Sequence, residues 1–289
     1  TVITINYNNL HGLKRTIPSV LSQTYDDFEY IVVDGGSTDG SKEYIESQKG
    51  IDQWVSEKDK GIYNAMNKGI SMAHGEYCIF MNSGDHFLYA YSLENAYKEL
   101  DGTDYCTGKT AIARDDKSID FYIPPTKIKL SFIKANFFMH QSTFIKTSLL
   151  KEYPYDEKLK IVADWAHFLE LWYNKKCTYK AIESIISVFY HDGISLAQID
   201  LLREEQKQVS TRVLGDKANQ IIPMTKEEKR EWITERVAFK LESAMKKKPI
   251  SRDLKIIRNG VKFLFKDLLL CLRIWNPLIM EARAKGVDI

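Results

Sequence analysis

The chain has 289 residues, 44% of them hydrophobic and 28% charged, with a formal net charge of +2 at pH 7. This length and composition predict a globular protein with one large core, or a larger domain with an appendage. Because the net charge is close to zero, the chain as a whole does not indicate a nucleic-acid partner. No uncharged apolar stretch is long enough to span a bilayer. Because the four cysteines are far apart and no signal peptide precedes them, we expect a reducing cytoplasm.

Strands and helices are predicted to alternate over the first third of the chain. Apolar runs that end in polar, turn-prone residues predict strands, and segments with helical spacing of apolar residues predict helices between them. The strands are expected at residues 2–5, 28–34, 53–59 and 76–82, and the helices at 13–24, 41–48 and 61–75. This alternation is typical of an α/β fold.

The pattern beyond residue 93 is looser. We expect a helix at 93–100, strands of a mixed sheet extension at 104–114 and 117–125, a segment leading into a helix at 136–150, a strong helix at 160–174 and a strand with a loop at 184–195. From about residue 199 the sequence is mostly helical and charged. We therefore expect a first domain over residues 1–214 and a helical region over 215–289.

Polar residues follow the ends of the predicted strands. Tyr7, Asp34, Asp59 and Asp85 each lie at or just past such an end. In open α/β sheets the ligand crevice lies beyond the carboxyl ends of the strands, so we expect these side chains at one rim. Each of them alone also fits an ordinary turn or helix-cap residue.

The stretch FMNSGDHF (80–87) ends the fourth predicted strand in a small polar cluster with a single carboxylate, Asp85. Asn, Ser, Gly and Asp tolerate the dihedral angles of a strand exit, so turn chemistry alone explains the cluster. A metal or phosphate site explains it as well.

Several segments together resemble the family 2 glycosyltransferases with the GT-A fold. They are TVITINYNN, SVLSQTYDDFEYIVVDGGSTDGS, SEKDKGIYNAMNKGI, FMNSGDHF, MHQSTF and ADWAHFLEL, in the family's order and spacing. The resemblance implies a GT-A catalytic domain that transfers a sugar, with inversion, from a nucleotide-diphosphate donor to an acceptor hydroxyl. It also implies a role in bacterial surface-polysaccharide or lipopolysaccharide assembly, with UDP as the expected nucleotide and a glycan or lipid-linked acceptor.

The resemblance places Asp85 at the last position of the family's metal-binding acidic motif, where many members carry D-x-D or D-D. Here the motif is reduced to N-S-G-D, and one carboxylate with diphosphate oxygens and waters can hold Mn²⁺ or Mg²⁺. His191, in FYHDGIS, follows the last core strand and is the second expected contact to the metal or the diphosphate. The alternatives are a turn Asp and a plain strand exit.

For the general base, the resemblance indicates Asp164 in IVADWAHFLEL, because the family's base lies in an equivalent A-D or E-D motif. The acceptor hydroxyl must lose a proton as it attacks the sugar, which requires a carboxylate on the opposite face. Val162, Trp165, Leu169 and Trp172 are compatible with one buried helix face, and Asp164 then lies in the first turn. A helix-capping carboxylate is the alternative.

Six residues are expected to bind the nucleotide or the rest of the donor: Tyr7, Asn8, Asp34, Asp59, Lys68 and Ser83. In this reading Tyr7 stacks on the base, the two aspartates accept from base or ribose, and Lys68 reaches phosphate. The sequence departs from the family at Gly35, where the second acid of the common D-D pair is missing, and at Asn64, where relatives often carry Asp.

His140 and Gln141, in MHQSTF, match a family motif on the acceptor side of the site. A lone His in an apolar run is otherwise more often a core histidine with satisfied hydrogen bonds. The resemblance therefore places these two residues beside the acceptor.

The end of the chain is basic and amphipathic. From residue 225 onwards Lys and Arg outnumber Asp and Glu, and over 246–280 cations are interleaved with large apolar residues. A helix in an anionic membrane interface has this pattern, so we expect peripheral contact with the inner face of the cytoplasmic membrane through 246–280. The alternatives are packing on the first domain or on the partner of a homodimer.

Two other functions fit part of the pattern. The reduced acidic motif and Gly35 permit a non-catalytic nucleotide-sugar-binding scaffold subunit, although Asp164 argues against it. A nucleotidyltransferase needs a Gly-rich, basic phosphate loop after the first strand, and the sequence NYNN at that place does not supply one.

Overall fold

The computed structural model describes residues 1–113, 119–136, 138–190, 198–218 and 225. The chain divides into two compact units, Thr1–Pro223 and Met224–Ile289, and the elements named below belong to the first. His191 and the expected membrane segment at 246–280 lie outside the described residues. The expected domain boundary after residue 214 stays a prediction.

The first part of the chain alternates strands and helices, which confirms the α/β prediction. The elements are β1 (Val2–Asn6), α1 (Leu10–Leu21), β2 (Tyr30–Asp34), α2 (Ser41–Ser47), β3 (Gln53–Ser56), α3 (Ile62–Met72) and β4 (Tyr77–Phe80). The four strands are parallel, in the order β3-β2-β1-β4, so their carboxyl ends lie at one edge of the sheet. β1, β2 and β4 are buried on both faces, which explains their nearly continuous apolar sequence, while β3 at the edge of the sheet is partly exposed.

The later elements form the rest of the sheet and its helices. They are β5 (His86–Phe87), α4 (Ser92–Tyr97), β6 (Tyr105–Ala113), β7 (Ile119–Tyr122), α5 (Leu130–Ala135), β8 (Thr143–Lys146), α6 (Thr147–Glu152), α7 (Ala163–Glu170), β9 (Tyr179–Tyr190) and α8 (Ile199–Leu214). The sequence predicts β6, β7, α7 and β9 but misses β5 and β8. β5 has only two residues, which carry no periodicity, and β8 lies within the segment 136–150, where the expected helix begins only at α6. In the described part of the chain, no helix is long and apolar enough to cross a membrane.

One mixed sheet joins the strands of the described residues, in the order β3-β2-β1-β4-β8-β6-β9-β5 with β7 beside β6. β8 runs antiparallel to both β4 and β6. An antiparallel strand begins at the level where its neighbour ends. The short helical turn His140–Ser142, directly before β8, therefore lies at the edge where β4 ends.

Helices cover both faces of the sheet. Along β2, Ile31 and Val33 join the apolar cluster that contains α3 and α7, while Tyr30 and Val32 join the cluster that contains α1. This alternation follows from the two-residue period of a strand. The buried helix positions that the periodicity predicts include Leu13, Ile17, Val20, Met66, Ile70, Trp165 and Leu169.

Candidate active site

Asp34 ends β2 and is fully buried. Its carboxylate accepts hydrogen bonds from Asn6 Nδ2 at 2.7 Å, from the Ser37 N–H at 2.9 Å and from Ser56 Oγ at 2.7 Å, in addition to the Ser37 hydroxyl. Burial alone would raise the pKa of Asp34, but these hydrogen bonds hold the pKa below its usual value. Asp34 thus ties together the ends of β1, β2 and β3, and its direct contact with a nucleotide stays a prediction.

Tyr7 and Asp59 both lie against Gly35. The Tyr7 ring is 68% exposed, as a ring that stacks on a ligand requires. A Cβ atom at position 35 would lie 3.0 Å from Asp59 Oδ2 and 3.2 Å from Tyr7 Cδ2, so any side chain there would displace one of them. Position 35 carries no acid, but Asp59, which follows β3, places a carboxylate oxygen in the space beside Gly35.

Lys68 of α3 contacts two carboxylates. Its Nζ atom lies 2.8 Å from Glu57 Oε1 and also binds Asp59 Oδ1. Burial alone would lower the pKa of Lys68, but the hydrogen bonds to Asp59 and Glu57 raise it. Lys68 thus orients Asp59 and leaves Oδ2 beside Gly35, while the expected phosphate contact of Lys68 stays a prediction.

The turn that carries Asp85 is built on Thr16 of α1. The buried Thr16 hydroxyl accepts from the Gly84 N–H at 2.9 Å and donates to the Asp85 carbonyl at 2.6 Å. Gly84 has a φ of +111°, a region that favours glycine, so the turn chemistry expected of N-S-G-D is present. These contacts fix the backbone and leave the carboxylate of Asp85 to interact elsewhere.

His140 lies between the two carboxylates expected to serve the chemistry. Its Nε2 atom is 3.7 Å from Asp85 Oδ2, and its Nδ1 atom is 3.7 Å from Asp164 Oδ2. Burial alone would lower the pKa of His140, but Asp85 and Asp164 raise it above the usual value. The structure therefore joins three residues that are far apart in sequence.

Asn82 completes this cluster. Its Nδ2 atom is 3.1 Å from His140 Nε2, and its buried Oδ1 atom lacks a hydrogen-bond partner among the described residues. Rotating the amide by half a turn would let Oδ1 accept from a protonated His140, because the two amide atoms then exchange places.

Asp164 lies in the first turn of α7, as predicted. Its Oδ1 atom accepts from the Tyr63 hydroxyl at 3.2 Å and from the Trp165 N–H at 2.8 Å, while Oδ2 faces His140. Burial, together with the charge of Asp164, raises the pKa of Tyr63 well above its usual value, so the phenol remains a donor. The Asp164 side chain is 25% exposed, so its carboxylate is fixed by hydrogen bonds and is still accessible to solvent.

The other expected site residues lie at the same edge and make contacts within the protein. Asn8 has a φ of +47° and accepts from the Thr38 N–H at 2.9 Å. Ser83 Oγ accepts from Asn9 Nδ2 at 3.2 Å, and Gln141 is buried. The structure thus gives Asn8 and Ser83 a role in loop geometry, and their contacts to a donor stay predictions.

The roles of Thr16 and Tyr63 are not predicted by the sequence. Their partners in the site lie 68 and 101 residues away, and neither a Thr within a helix nor a Tyr near a helix start is a signal for such a contact. These contacts depend on tertiary packing, which places residues of α3 and α7 in one apolar cluster.

Asp85 fits a divalent cation that is shared with a diphosphate. Mg²⁺ and Mn²⁺ prefer oxygen ligands and are held in many proteins by one or two carboxylates plus phosphate oxygens. Among the described residues, no group of three or more His, Cys, Asp or Glu side chains could hold a metal ion by itself. Asp85 offers one carboxylate of the kind that such a shared site uses, and its role as a metal ligand stays a prediction.

A family model and several curated relatives match parts of the chain. A family model described as Glycosyl transferase family 2 matches residues 1–152, more than half of the chain. An uncharacterized glycosyltransferase of Mycobacterium tuberculosis (strain ATCC 25618 / H37Rv) is 42% identical over 104 residues, which cover 35% of this chain and 40% of the relative. The putative teichuronic acid biosynthesis glycosyltransferase TuaG of Bacillus subtilis (strain 168) is 35% identical over 89 residues, 29% of this chain and 35% of TuaG. The matches thus span less than half the length of these relatives.

Solved structures share the fold at low sequence identity. S. aureus TarS 1-349 in complex with UDP-GlcNAc has a TM-score of 0.55 at 17% identity, over 83% of this chain and 80% of its own. Mannosyltransferase PcManGT from Pyrobaculum calidifontis, in complex with GDP-Man and Mn²⁺, has a TM-score of 0.55 at 17% identity, over 95% of this chain and 81% of its own. These neighbours confirm the predicted GT-A fold.

Replacing Thr16 by Val tests how the Asp85 turn is held. Val has a similar shape but cannot accept from the Gly84 N–H, so we expect the free energy of unfolding to fall by about 1–3 kcal/mol. Chemical denaturation of the Thr16→Val variant measures this, with Thr38→Val, at an exposed position, as the matched control. Equal stabilities of the two variants would contradict the account of the turn.

Replacing Asp34 by Asn tests the buried carboxylate. Because folding lowers the pKa of Asp34, its contribution is fully present above the unfolded value of about 3.9 and is lost as the pH falls through the folded pKa. We expect Asp34→Asn to be less stable than wild type by about 1–3 kcal/mol at pH 7, and the gap to narrow towards pH 3. Asp26→Asn, at an exposed position, is the control. A difference in unfolding free energy between wild type and Asp34→Asn that does not change with pH would refute the lowered pKa of Asp34.

Proposed function

Because the chain belongs to glycosyl transferase family 2, we propose that it transfers a sugar from a nucleotide-diphosphate donor to an acceptor hydroxyl, with inversion at the sugar carbon. One observation supports this most strongly: Asp85 and Asp164 flank His140 at the edge where the parallel strands end. The transfer needs one carboxylate for a metal-bound diphosphate and another for the acceptor proton. The two lie on opposite sides of one imidazole.

The donor base is proposed to lie between Tyr7 and Asp59. The exposed ring of Tyr7 offers a face for stacking, and Asp59 Oδ2 is the oxygen that Lys68 leaves available beside Gly35. Asp59 would then accept from the base in place of the acid absent at position 35. UDP is our first choice of nucleotide; among structures of the same fold, TarS is bound to UDP-GlcNAc and PcManGT to GDP-Man.

Mn²⁺ or Mg²⁺ is proposed as the cofactor, held by Asp85. When bound, the cation would neutralise the negative charge that collects on the leaving diphosphate. The Thr16 contacts fix the backbone on both sides of this ligand, so that Asp85 is oriented before the donor arrives. Mn²⁺ is present in the PcManGT complex.

Asp164 is proposed to be the general base. The acceptor oxygen would form its bond to C1 of the sugar as the bond from C1 to the diphosphate breaks, and the acceptor proton would pass to Asp164. Tyr63 and the Trp165 N–H hold Oδ1, so Oδ2 is the atom available for the proton. His140 and Gln141 then lie on the acceptor side.

The biological acceptor is proposed to be a growing surface glycan or a lipid-linked precursor. TuaG, a relative over part of the chain, is named for teichuronic acid biosynthesis, which supports a role in surface-polysaccharide assembly. Cytoplasmic location and homodimer formation stay predictions. Membrane contact through 246–280 also stays a prediction, because that segment lies outside the described residues.

The Asp164→Asn variant tests the proposed chemistry. With Mn²⁺ and UDP-GlcNAc, UDP-glucose or GDP-mannose, we expect wild type to release the nucleotide diphosphate and Asp164→Asn to lower kcat by about 10²–10⁴-fold, because Asn cannot take a proton. Calorimetric binding of the nucleotide should be unchanged. Glu170→Gln, at the far end of the same helix, is the control. Equal kcat values for the two variants would remove Asp164 from the proposal.

A further inference from the structure

Glu205 of α8 is a buried carboxylate with an unusual set of partners. Glu205 is only 5% exposed. Oε1 accepts from the Lys160 N–H at 2.7 Å, and Oε2 accepts from the Ile161 N–H at 3.0 Å and the Val162 N–H at 3.3 Å. Three consecutive backbone amides therefore converge on one side chain that lies more than forty residues further along the chain.

These amides lead directly into the helix that carries Asp164. Val162 is the residue before the first turn of α7, and its own side chain makes no capping hydrogen bond. The first N–H groups of a helix lack partners within the helix and carry its positive end. Glu205 thus binds one of these groups, the N–H of the N-cap residue Val162, and also the two N–H groups that precede the helix. A negative charge at this end of α7 is favourable.

The same peptide segment is held from the opposite side by α3. The Tyr63 hydroxyl donates to the Ile161 carbonyl at 2.7 Å and lies 3.2 Å from Asp164 Oδ1. Ile161 is therefore fixed through its N–H by Glu205 and through its carbonyl by Tyr63. A shift of this peptide would move Tyr63 and Asp164 relative to each other.

Further contacts hold the segment that precedes α7. Asn67 Nδ2 donates to the Tyr155 carbonyl at 2.9 Å, and Asn64 Nδ2 donates to Glu157 Oε2 at 2.9 Å. These contacts come from α3 alone and lie several residues before Asp164. Glu205 is the contact from α8 that reaches the last three residues before the helix.

We propose that Glu205 is a positioning residue that fixes Asp164 relative to Tyr63 and His140 by capping α7 from α8. The inference rests on the proposed function, since it concerns the same carboxylate. It assigns a role to a residue outside the stretch matched by the family model. A misplacement of about 1 Å can lower a rate by a hundredfold, so an exact cap matters for the chemistry.

Glu205→Gln is the variant that tests this inference. An amide has one acceptor oxygen, so at least one of the three N–H groups would face an NH₂ group instead. With Mn²⁺ and the donor that wild type turns over, we expect kcat to fall about 10–100-fold, with calorimetric UDP affinity unchanged. Hydrogen exchange at the amides of residues 160–162 should be faster by at least about tenfold, because they lose a buried acceptor.

Glu204→Gln is the matched control, at the neighbouring but exposed position of the same helix. Glu205→Asp, which keeps both oxygens on a shorter side chain, should give an intermediate kcat and covers the case in which Glu205→Gln does not fold. Faster exchange with a kcat equal to that of Glu204→Gln would show a purely structural cap and overturn the inference. No turnover by wild type would overturn the proposed function and this inference with it, whereas wild-type turnover with unchanged kcat in the variants overturns this inference alone.

Discussion

The antiparallel pairing of β8 with β4 is the constraint on which the candidate site depends. Parallel strands deliver Tyr7, Asp34 and Asp85 to one edge of the sheet, but a further parallel strand would begin at the opposite edge. Because β8 is reversed, the turn that precedes it brings His140 to the end of β4. The chain then continues through α6 to α7, which places Asp164 on the other side of the same imidazole. The reversal therefore unites the donor edge with the residues expected to face the acceptor.

Contacts across long stretches of sequence fix the geometry around that imidazole. Thr16 holds the backbone of the Asp85 turn, and Tyr63 holds both Asp164 and the peptide before it. Glu205 caps the same peptide segment from α8. Each of these side chains satisfies backbone groups at a strand or helix end, where regular hydrogen bonding stops. The reactive carboxylates can therefore remain partly exposed while the backbone that carries them is held in the core.

The sequence predicted the parallel half of the sheet because long apolar runs and polar strand ends follow from local periodicity. Asp164 was placed correctly in the first turn of α7 for the same reason. The two-residue strand β5 carries no periodic signal, and β8 lies between a short helical turn and α6 in a segment whose expected element is a helix. Three features depend on tertiary packing, which a single sequence does not encode locally: the contact of Gly35 with Asp59, the hydrogen bonds of Thr16 to the Asp85 turn, and those of Glu205 to residues 160–162. The resemblance to a family supplied the candidate residues, and the structure supplied their arrangement.

Calorimetric titration of UDP and GDP, with and without Mn²⁺, into wild type and Asp85→Asn determines whether the lone carboxylate of the N-S-G-D turn holds a metal-bound diphosphate. We expect one nucleotide to bind wild type much more tightly with Mn²⁺, and Asp85→Asn to lose this dependence on metal. Binding that is indifferent both to Mn²⁺ and to the replacement of Asp85 would make Asp85 an ordinary turn residue and contradict the account.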